Sequence, residues 1–363
     1  MQSVVDHECT SWLVFHDLTG NNTNLLHKNR DAVTRPSRDV SVLISPAGTR
    51  YQWVGLGNAD IGMTDGKLCM SINEKGLAAV MNSGEKCTDN STNPNGKRTP
   101  DILKEVVGNC ASIDEALEML RGFVERNDYL HDDKGSIFFF LDRDAAYVVE
   151  MTAHYISPMR YDHGYAFRAN IWHNPDMASF ADNNVATFLN SANREYMVLT
   201  GFNRAVRAHG RFTVEDSLAI SRETELPDTP IERRVCSQYT NSSATLELDR
   251  EYPFPLSTAY VLIGPPRQTI CVPVPVAMRE VHPAMRSQAW RSAAWKRFDE
   301  LGVEAPVPAE WRAFEKETFA QYRTAQGKAR ELMRSNQQAE AAALIQKAAM
   351  DIWGAGAKLL GLE

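Results

Sequence analysis

Short apolar runs rich in β-prone residues, each closed by Gly, Asn or Asp, fill the first ninety or so residues of the chain. The first is Cys9-Thr10-Ser11-Trp12-Leu13-Val14-Phe15. Asp17, Gly20, Asn21, Asn22 and Asn24 make the turn, and Leu25-Leu26 open a returning strand. Further strands are expected at Val40 to Ser45, Tyr51 to Val54, Lys67 to Asn73 and Leu77 to Met81. Thr99-Pro100 then starts a helix, with proline at its first position. Ser112, with Glu115 three residues on, is a capping box for a helix running to about Arg126. Ser136 to Leu141 and Ala146 to Met151 should form a hairpin around Asp142-Arg143-Asp144, followed by strands at Ala153 to Ser157 and Tyr165 to Ile171. A helix is predicted over roughly Ala192 to Ala208 and another from Thr213, before strands at Ser243 to Leu248, Thr258 to Ile263 and Thr269 to Val272. Blocks of strands interrupted by helix pairs, without βαβ alternation, argue an α+β chain with sheets packed face to face.

The tail changes period. Trp311, Phe314, Thr318, Tyr322, Ala325, Ala329 and Leu332 recur at steps of three and four, as do Ala341, Leu344, Ile345, Ala348 and Ile352. The chain thus divides into a short leader at 1–8, a main domain at 9–282 and a helical extension at 283–363. The extension is expected to pack on the core as a helical hairpin, in preference to a dimerisation or gating role.

Cys9 carries the candidate chemistry. With eight residues removed it would hold a thiol and a free α-amine on one residue. A free thiol titrates near about 8.5 and an α-amine near about 7.7 to 8, so the amine can take the thiol proton near neutrality. A cation such as Lys28 or Arg30 would favour the thiolate, and Asp31 could hold the amine by a charge-assisted hydrogen bond.

Several ordered segments resemble the choloylglycine hydrolase and penicillin V acylase family of N-terminal nucleophile hydrolases, with the isopenicillin N acyltransferases and cysteine dipeptidases as relatives. Cys9-Thr10 resembles the family's Cys-Thr start, and Lys28-Asn29-Arg30-Asp31 its G-R-N-x-D strand. Ile72-Asn73-Glu74-Lys75-Gly76-Leu77, continuing to Asn82, resembles its N-E-K-G-L segment. Leu141-Asp142 through Val148-Val149-Glu150 resembles its V-V-E hairpin. Ala169-Asn170 falls where the family has Thr-Asn, and Ser191 to Arg194 where it has Ser-Arg before a helix. The match covers roughly residues 9 to 275.

The resemblance implies a four-layer αββα sandwich with a helical C-terminal extension. It implies cleavage of a linear, non-peptide amide through a thioester on Cys9, with a small-molecule N-acyl amide as the partner and a homo-oligomer as the assembly. Cys9 would be nucleophile and base, Asp31 would orient its amine, and Asn82 would supply an oxyanion-hole donor beside a backbone N–H. Asn170 would bind the amine or the scissile amide, and Arg194 would support the charge network. Acyl transfer to an amine and dipeptidase activity are the enzyme alternatives. A catalytically silent binding protein is the alternative outside that class. One departure stands out: Lys28 sits where the bile-salt enzymes carry arginine, and lysine lacks the planar fork of arginine. Family register favours Lys28 as the activating cation, and Arg30 on the same strand face is the competitor.

Composition narrows the setting. The chain has 363 residues, 43% hydrophobic and 23% charged, as ordinary globular proteins do. A net charge of −7 and the lack of a basic patch argue against nucleic acid, and no apolar stretch reaches the roughly twenty residues of a membrane span. Residues 1–8 are too short and polar for a signal peptide, so a cytoplasmic setting is expected unless an export signal was trimmed. Six scattered cysteines, five without the nucleophile, cannot all pair and suit a reducing compartment. Gly55-Leu56-Gly57 lacks the third glycine of a dinucleotide fingerprint. His131, His154, His163 and His173 lack metal-ligand spacing, so neither cofactor nor metal is expected.

Overall fold

The computed structural model describes residues 9–31, 40–58, 67–90, 93–130, 133–226 and 228–362. The expected leader at 1–8 and His131 lie outside the described residues. The chain order of strands begins with β1 (Thr10–Val14), β2 (Thr23–Asp31), β3 (Val40–Ile44), β4 (Trp53–Asn58), β5 (Lys67–Asn73) and β6 (Ala78–Lys86). It continues with β7 (Lys134–Leu141), β8 (Ala146–Met151), β9 (Ile156–Tyr161) and β10 (Tyr165–Arg168). It closes with β11 (Thr240–Asp249), β12 (Thr258–Ile263) and β13 (Val272–Pro275). Two antiparallel sheets result, in the orders β10-β1-β2-β11-β12-β13 and β3-β4-β5-β6-β7-β8-β9.

Strand alternation sorts each sheet into an inner and an outer face. Leu13, Leu26 and Leu246 of the first sheet share one buried core with Val54, Ile72 and Val80 of the second. On the outer face of the second sheet, Ala79, Met81, Phe138 and Phe140 pack with Ile102, Val106, Leu117 and Leu120. Those last four lie on the helices Thr99–Asn109 and Ile113–Glu125. The first sheet is covered by the helices Val185–His209 and Val214–Ser221 and by the tail helices Ala309–Arg334 and Gln338–Leu359. The tail docks through Tyr322, whose hydroxyl is 3.0 Å from Thr258 Oγ1, and Trp353, whose indole N–H donates to Pro273 O at 2.7 Å. The four layers are α, β, β, α, the sandwich that the resemblance implied.

Several boundaries differ from the sequence reading, each for a local reason. β4 runs on through Gly55-Leu56-Gly57 where the strand was expected to stop at Val54. These glycines are structural: a Cβ on Gly55 would strike Met70 O, and one on Gly57 would strike Lys67 O. β6 continues past Met81 to Lys86, because Gly84 accommodates the close approach of Trp172 and Gly135 and does not make a turn. The helix expected from Ala192 starts at Val185, capped by Asn184 Oδ1, which accepts from Ala186 N and Thr187 N. β9 and β13 lie three residues later than expected, and β10 ends at Arg168. The Ser112 cap is present, but Glu115 reaches back to Ala111 N and not to its own cap residue.

Candidate active site

β1 and β2 pair so that Ser11 faces Lys28 and Thr10 faces Asn29. Ser11 and Lys28 both turn toward the second sheet and meet at one acceptor. Asn82 Oδ1 takes hydrogen bonds from Ser11 Oγ at 2.8 Å and from Lys28 Nζ at 2.8 Å. Lys28 Nζ also donates to Met81 O at 2.5 Å, which leaves one of its three N–H bonds for the cleft beside it. Cys9 precedes Ser11 by two residues and lies on the same face. Continued by one residue beyond Thr10–Asn29, the register sets Cys9 opposite Arg30, with Lys28 two pairs further in on the same face.

Cys9 lines a cleft of about 420 Å³ together with Lys28, Arg30, Asp31, Met81 and Ser83, among others. Asp31 shares this wall although plain alternation turns it the other way. The pairing of β2 with β11 slips between Thr240 and Ser242, where β11 carries one extra residue, Asn241, opposite the step from Arg30 to Asp31 at the end of β2.

Arg194 fixes the Cys9 backbone from the helix side. Fully buried, its guanidinium donates to Cys9 O at 2.5 Å, Thr10 Oγ1 at 2.9 Å, Asn190 Oδ1 at 2.8 Å and Asn170 Oδ1 at 2.8 Å. Asn170 in turn donates from its amide to Ser83 O at 2.7 Å, and its backbone N–H reaches Ser191 Oγ at 3.3 Å. Arg194, Asn170 and Ser83 thus link Cys9 on the first sheet to the cleft wall on the second.

The six site residues read from the sequence therefore fall into two groups. Cys9, Lys28 and Asp31 line the cleft. Asn82, Asn170 and Arg194 form the buried framework that holds them. Asn82 is inward-facing strand, not turn, and its amide hydrogens go to Arg168 O at 3.3 Å and Ala169 O at 3.0 Å. In this arrangement its side chain holds Lys28 and the neighbouring loop, so the oxyanion role expected of its side chain requires one of those bonds to open.

Three glutamates escaped the sequence reading as a group. Glu195 accepts from Ala169 N at 2.9 Å, Glu85 from Trp172 N at 3.0 Å, and Glu150 from His173 N at 2.8 Å and Asn174 N at 3.0 Å. Together they cage the loop that carries Asn170. Burial pushes the carboxyls of Glu85 and Glu150 above their ordinary range, and the backbone N–H groups they accept oppose that shift. Glu150 ends the V-V-E run, the only one of the three that a motif marked. His173 lies 3.1 Å from Glu195, and His154 and His163 sit against Asp89 and Asp162. Among the described residues, no group of three or more His, Cys, Asp or Glu is arranged to hold a metal, no helix is long and apolar enough to cross a membrane, and all six cysteines are unbridged.

Comparison with known proteins agrees with this architecture. The sequence model of the acyl-coenzyme A:6-aminopenicillanic acid acyl-transferase family matches residues 18–204, a segment that includes Lys28, Asp31, Asn82, Asn170 and Arg194 but begins after Cys9. Among solved structures, a mutant of the conjugated bile acid hydrolase from Clostridium perfringens superposes with a TM-score of 0.51 at 13% identity, over 75% of this chain and 93% of that one. The penicillin V acylase from Agrobacterium tumefaciens gives a TM-score of 0.40 at 16% identity, over 74% of this chain and 86% of that one. No curated protein matches. With an N-terminal nucleophile hydrolase fold and a family model matching more than half its length, the chain belongs to the acyl-coenzyme A:6-aminopenicillanic acid acyl-transferase family.

Proposed function

We propose that the chain is an N-terminal cysteine amidohydrolase that cleaves a linear amide through a thioester on Cys9. The observation that carries this reading is the placement of Cys9, which lines a cleft while its carbonyl is held by buried Arg194. Maturation would begin when the Cys9 thiolate attacks the Glu8 carbonyl carbon. The peptide C–N bond breaks as the C–S bond forms, the Cys9 amine is freed, and water hydrolyses the thioester to release residues 1–8. In turnover the amine takes the Sγ proton, and the thiolate attacks the substrate carbonyl to give a tetrahedral oxyanion. Collapse expels the amine, which leaves with the proton held by the Cys9 ammonium, and water then releases the acyl group as a carboxylic acid. Asp31 on the cleft wall would orient the ammonium, and the remaining N–H of Lys28 would stabilise the thiolate.

Acyl transfer is the second reading, and the family match favours weighing it: an amine in place of water would then take the acyl group. Mass spectrometry of the purified chain combined with an amide panel tests both. Loss of residues 1–8, iodoacetamide labelling at Cys9 and release of free acid are the expected results. An acylated amine product in place of the acid would move the assignment to transfer. A chain that keeps residues 1–8, leaves Cys9 unlabelled and turns over no amide would overturn the enzyme reading.

A further inference from the structure

A second hollow, of about 430 Å³, opens among the helices that cover the first sheet and shares no lining residue with the Cys9 cleft. Two helix faces form its walls. Glu215, Leu218 and Arg222 recur at steps of three and four along Val214–Ser221 and its C-cap. Arg312, Glu315, Lys316 and Phe319 do the same along Ala309–Arg334. Ion pairs span the gap at two points. Buried Arg222 presents a two-pronged fork to buried Glu315 at 2.6 and 2.8 Å, and Arg323 donates to Glu215 at 2.6 Å. Leu218, Val307 and Phe319 supply apolar lining between the faces.

The charges of this hollow do not cancel. Each of its three carboxylates has an arginine: Glu315 has Arg222, Glu215 has Arg323, and Glu223 has Arg204 at 3.3 Å. Arg267 is committed to Thr224 Oγ1 and to backbone carbonyls. Arg312 donates to Val307 O at 2.9 Å, and Lys316 stands one turn further along the same helix, both exposed at the rim. Among the described residues, neither meets a carboxylate. Like charges four apart on a helix repel each other, and an anion between them would relieve that repulsion.

We infer that this hollow binds an amphipathic anion, its apolar body lodged between the two helix faces and its anionic head held at the rim by Arg312 and Lys316. The volume falls within the range of small-molecule sites, about 300 to 1,000 Å³. The head would take charge-assisted hydrogen bonds from both cations, and the body would cover Leu218, Val307 and Phe319. A neutral apolar molecule would leave the two cations facing each other, and a cationic one would add to their repulsion. The site makes no use of Cys9 and stands apart from the amidohydrolase reading.

Titration calorimetry of the full chain tests this with decanoate, acetate and decylammonium as probes. Decanoate should bind saturably, at least about tenfold tighter than acetate, which lacks the body, and than decylammonium, which reverses the head. Head and body contacts can be broken separately. The Arg312→Glu/Lys316→Glu double variant should weaken decanoate by about tenfold and strengthen decylammonium, a reversal that loss of folding cannot produce. Ala219→Trp, at an exposed position lining the hollow, should fill it and block decanoate with the urea midpoint unchanged. Decanoate that fails to saturate, or decylammonium bound as tightly as decanoate, overturns the inference. Decanoate binding that is unchanged in both variants places the anion elsewhere on the molecule and overturns it equally.

Discussion

The two faces of β2 make opposite uses of adjacent residues. Toward the helices, His27 stacks on Trp12 with ring centroids 3.8 Å apart, and its nitrogens meet Thr245, Asn29 and Ser243 hydroxyl and carbonyl oxygens at 2.8 to 3.0 Å. Asn29 donates to Ser221 O at 2.8 Å and Val235 O at 2.9 Å. Burial drives the His27 imidazole down to about 3, so it stays neutral. Toward the cleft, the same strand buries Lys28 among neutral oxygens and presents Arg30. At His27 and Asn29 one face is polar and uncharged, and it holds the layers together. The other keeps cations where burying them is expensive, which points to a use beyond stability.

The largest expected break in this division is Asn82→Ala, because Asn82 serves the cation face from the opposite sheet. Losing the donors and acceptor that tie Lys28, Ser11 and the 168–169 carbonyls should lower turnover by about 10²-fold. It should also cost on the order of 3 kcal/mol of stability, since several buried groups lose their partners. Steady-state kinetics with urea unfolding checks both. A drop in turnover with no stability loss would place Asn82 at the reacting carbonyl and not in the framework.

Next in size is a pH effect confined to the helix face. His27 titrates at about 3 in the folded chain and near 6.5 when unfolded. Between those values the unfolded chain binds a proton that the folded chain does not, so stability is full above about 6.5 and falls as the pH drops toward 3. His27→Gln should have lower stability at neutral pH and a flatter fall across this window. Parallel slopes for the two proteins in urea midpoints measured from pH 7 to 4 would show that other groups carry the acid sensitivity.

How much of this was legible in the sequence follows from the range of each interaction. The hairpin around Cys9, the exact span of β5 and the proline-led helix at Thr99 depend on local pattern and turn chemistry, and they were readable. Asn82 was misplaced at a strand end because Ser83-Gly84 resembles a turn, while Gly84 is there to let Trp172 pack against the strand. The early helix start was hidden because Val185, Phe188 and Leu189 are exposed, so the apolar residues there do not follow a buried face. The carboxylate cage could not be read at all: Glu85, Glu150 and Glu195 lie on three separate elements, and only the fold brings them to one loop. Motif resemblance alone marked the candidate site residues, whereas their division into cleft and framework is a property of packing.

The smallest effect bears on the cation face alone and asks which of its two residues tunes the thiol. Register sets Arg30 across from Cys9, but its guanidinium is drawn to Asn58 on β4, away from the strand pair. Lys28 lies two pairs further in, fully buried and lining the cleft, with two of its N–H bonds anchored on Met81 O and Asn82 Oδ1. A buried cation acts through a lower effective dielectric than one at a solvated rim, so Lys28 should act more strongly on the thiolate even from the diagonal position. Lys28→Met should therefore move iodoacetamide labelling of Cys9 to higher pH, and Arg30→Met should leave the profile nearly where it was. A shift produced by Arg30→Met and not by Lys28→Met would make Lys28 a framework residue and give the activating role to the residue facing Cys9 across the strands.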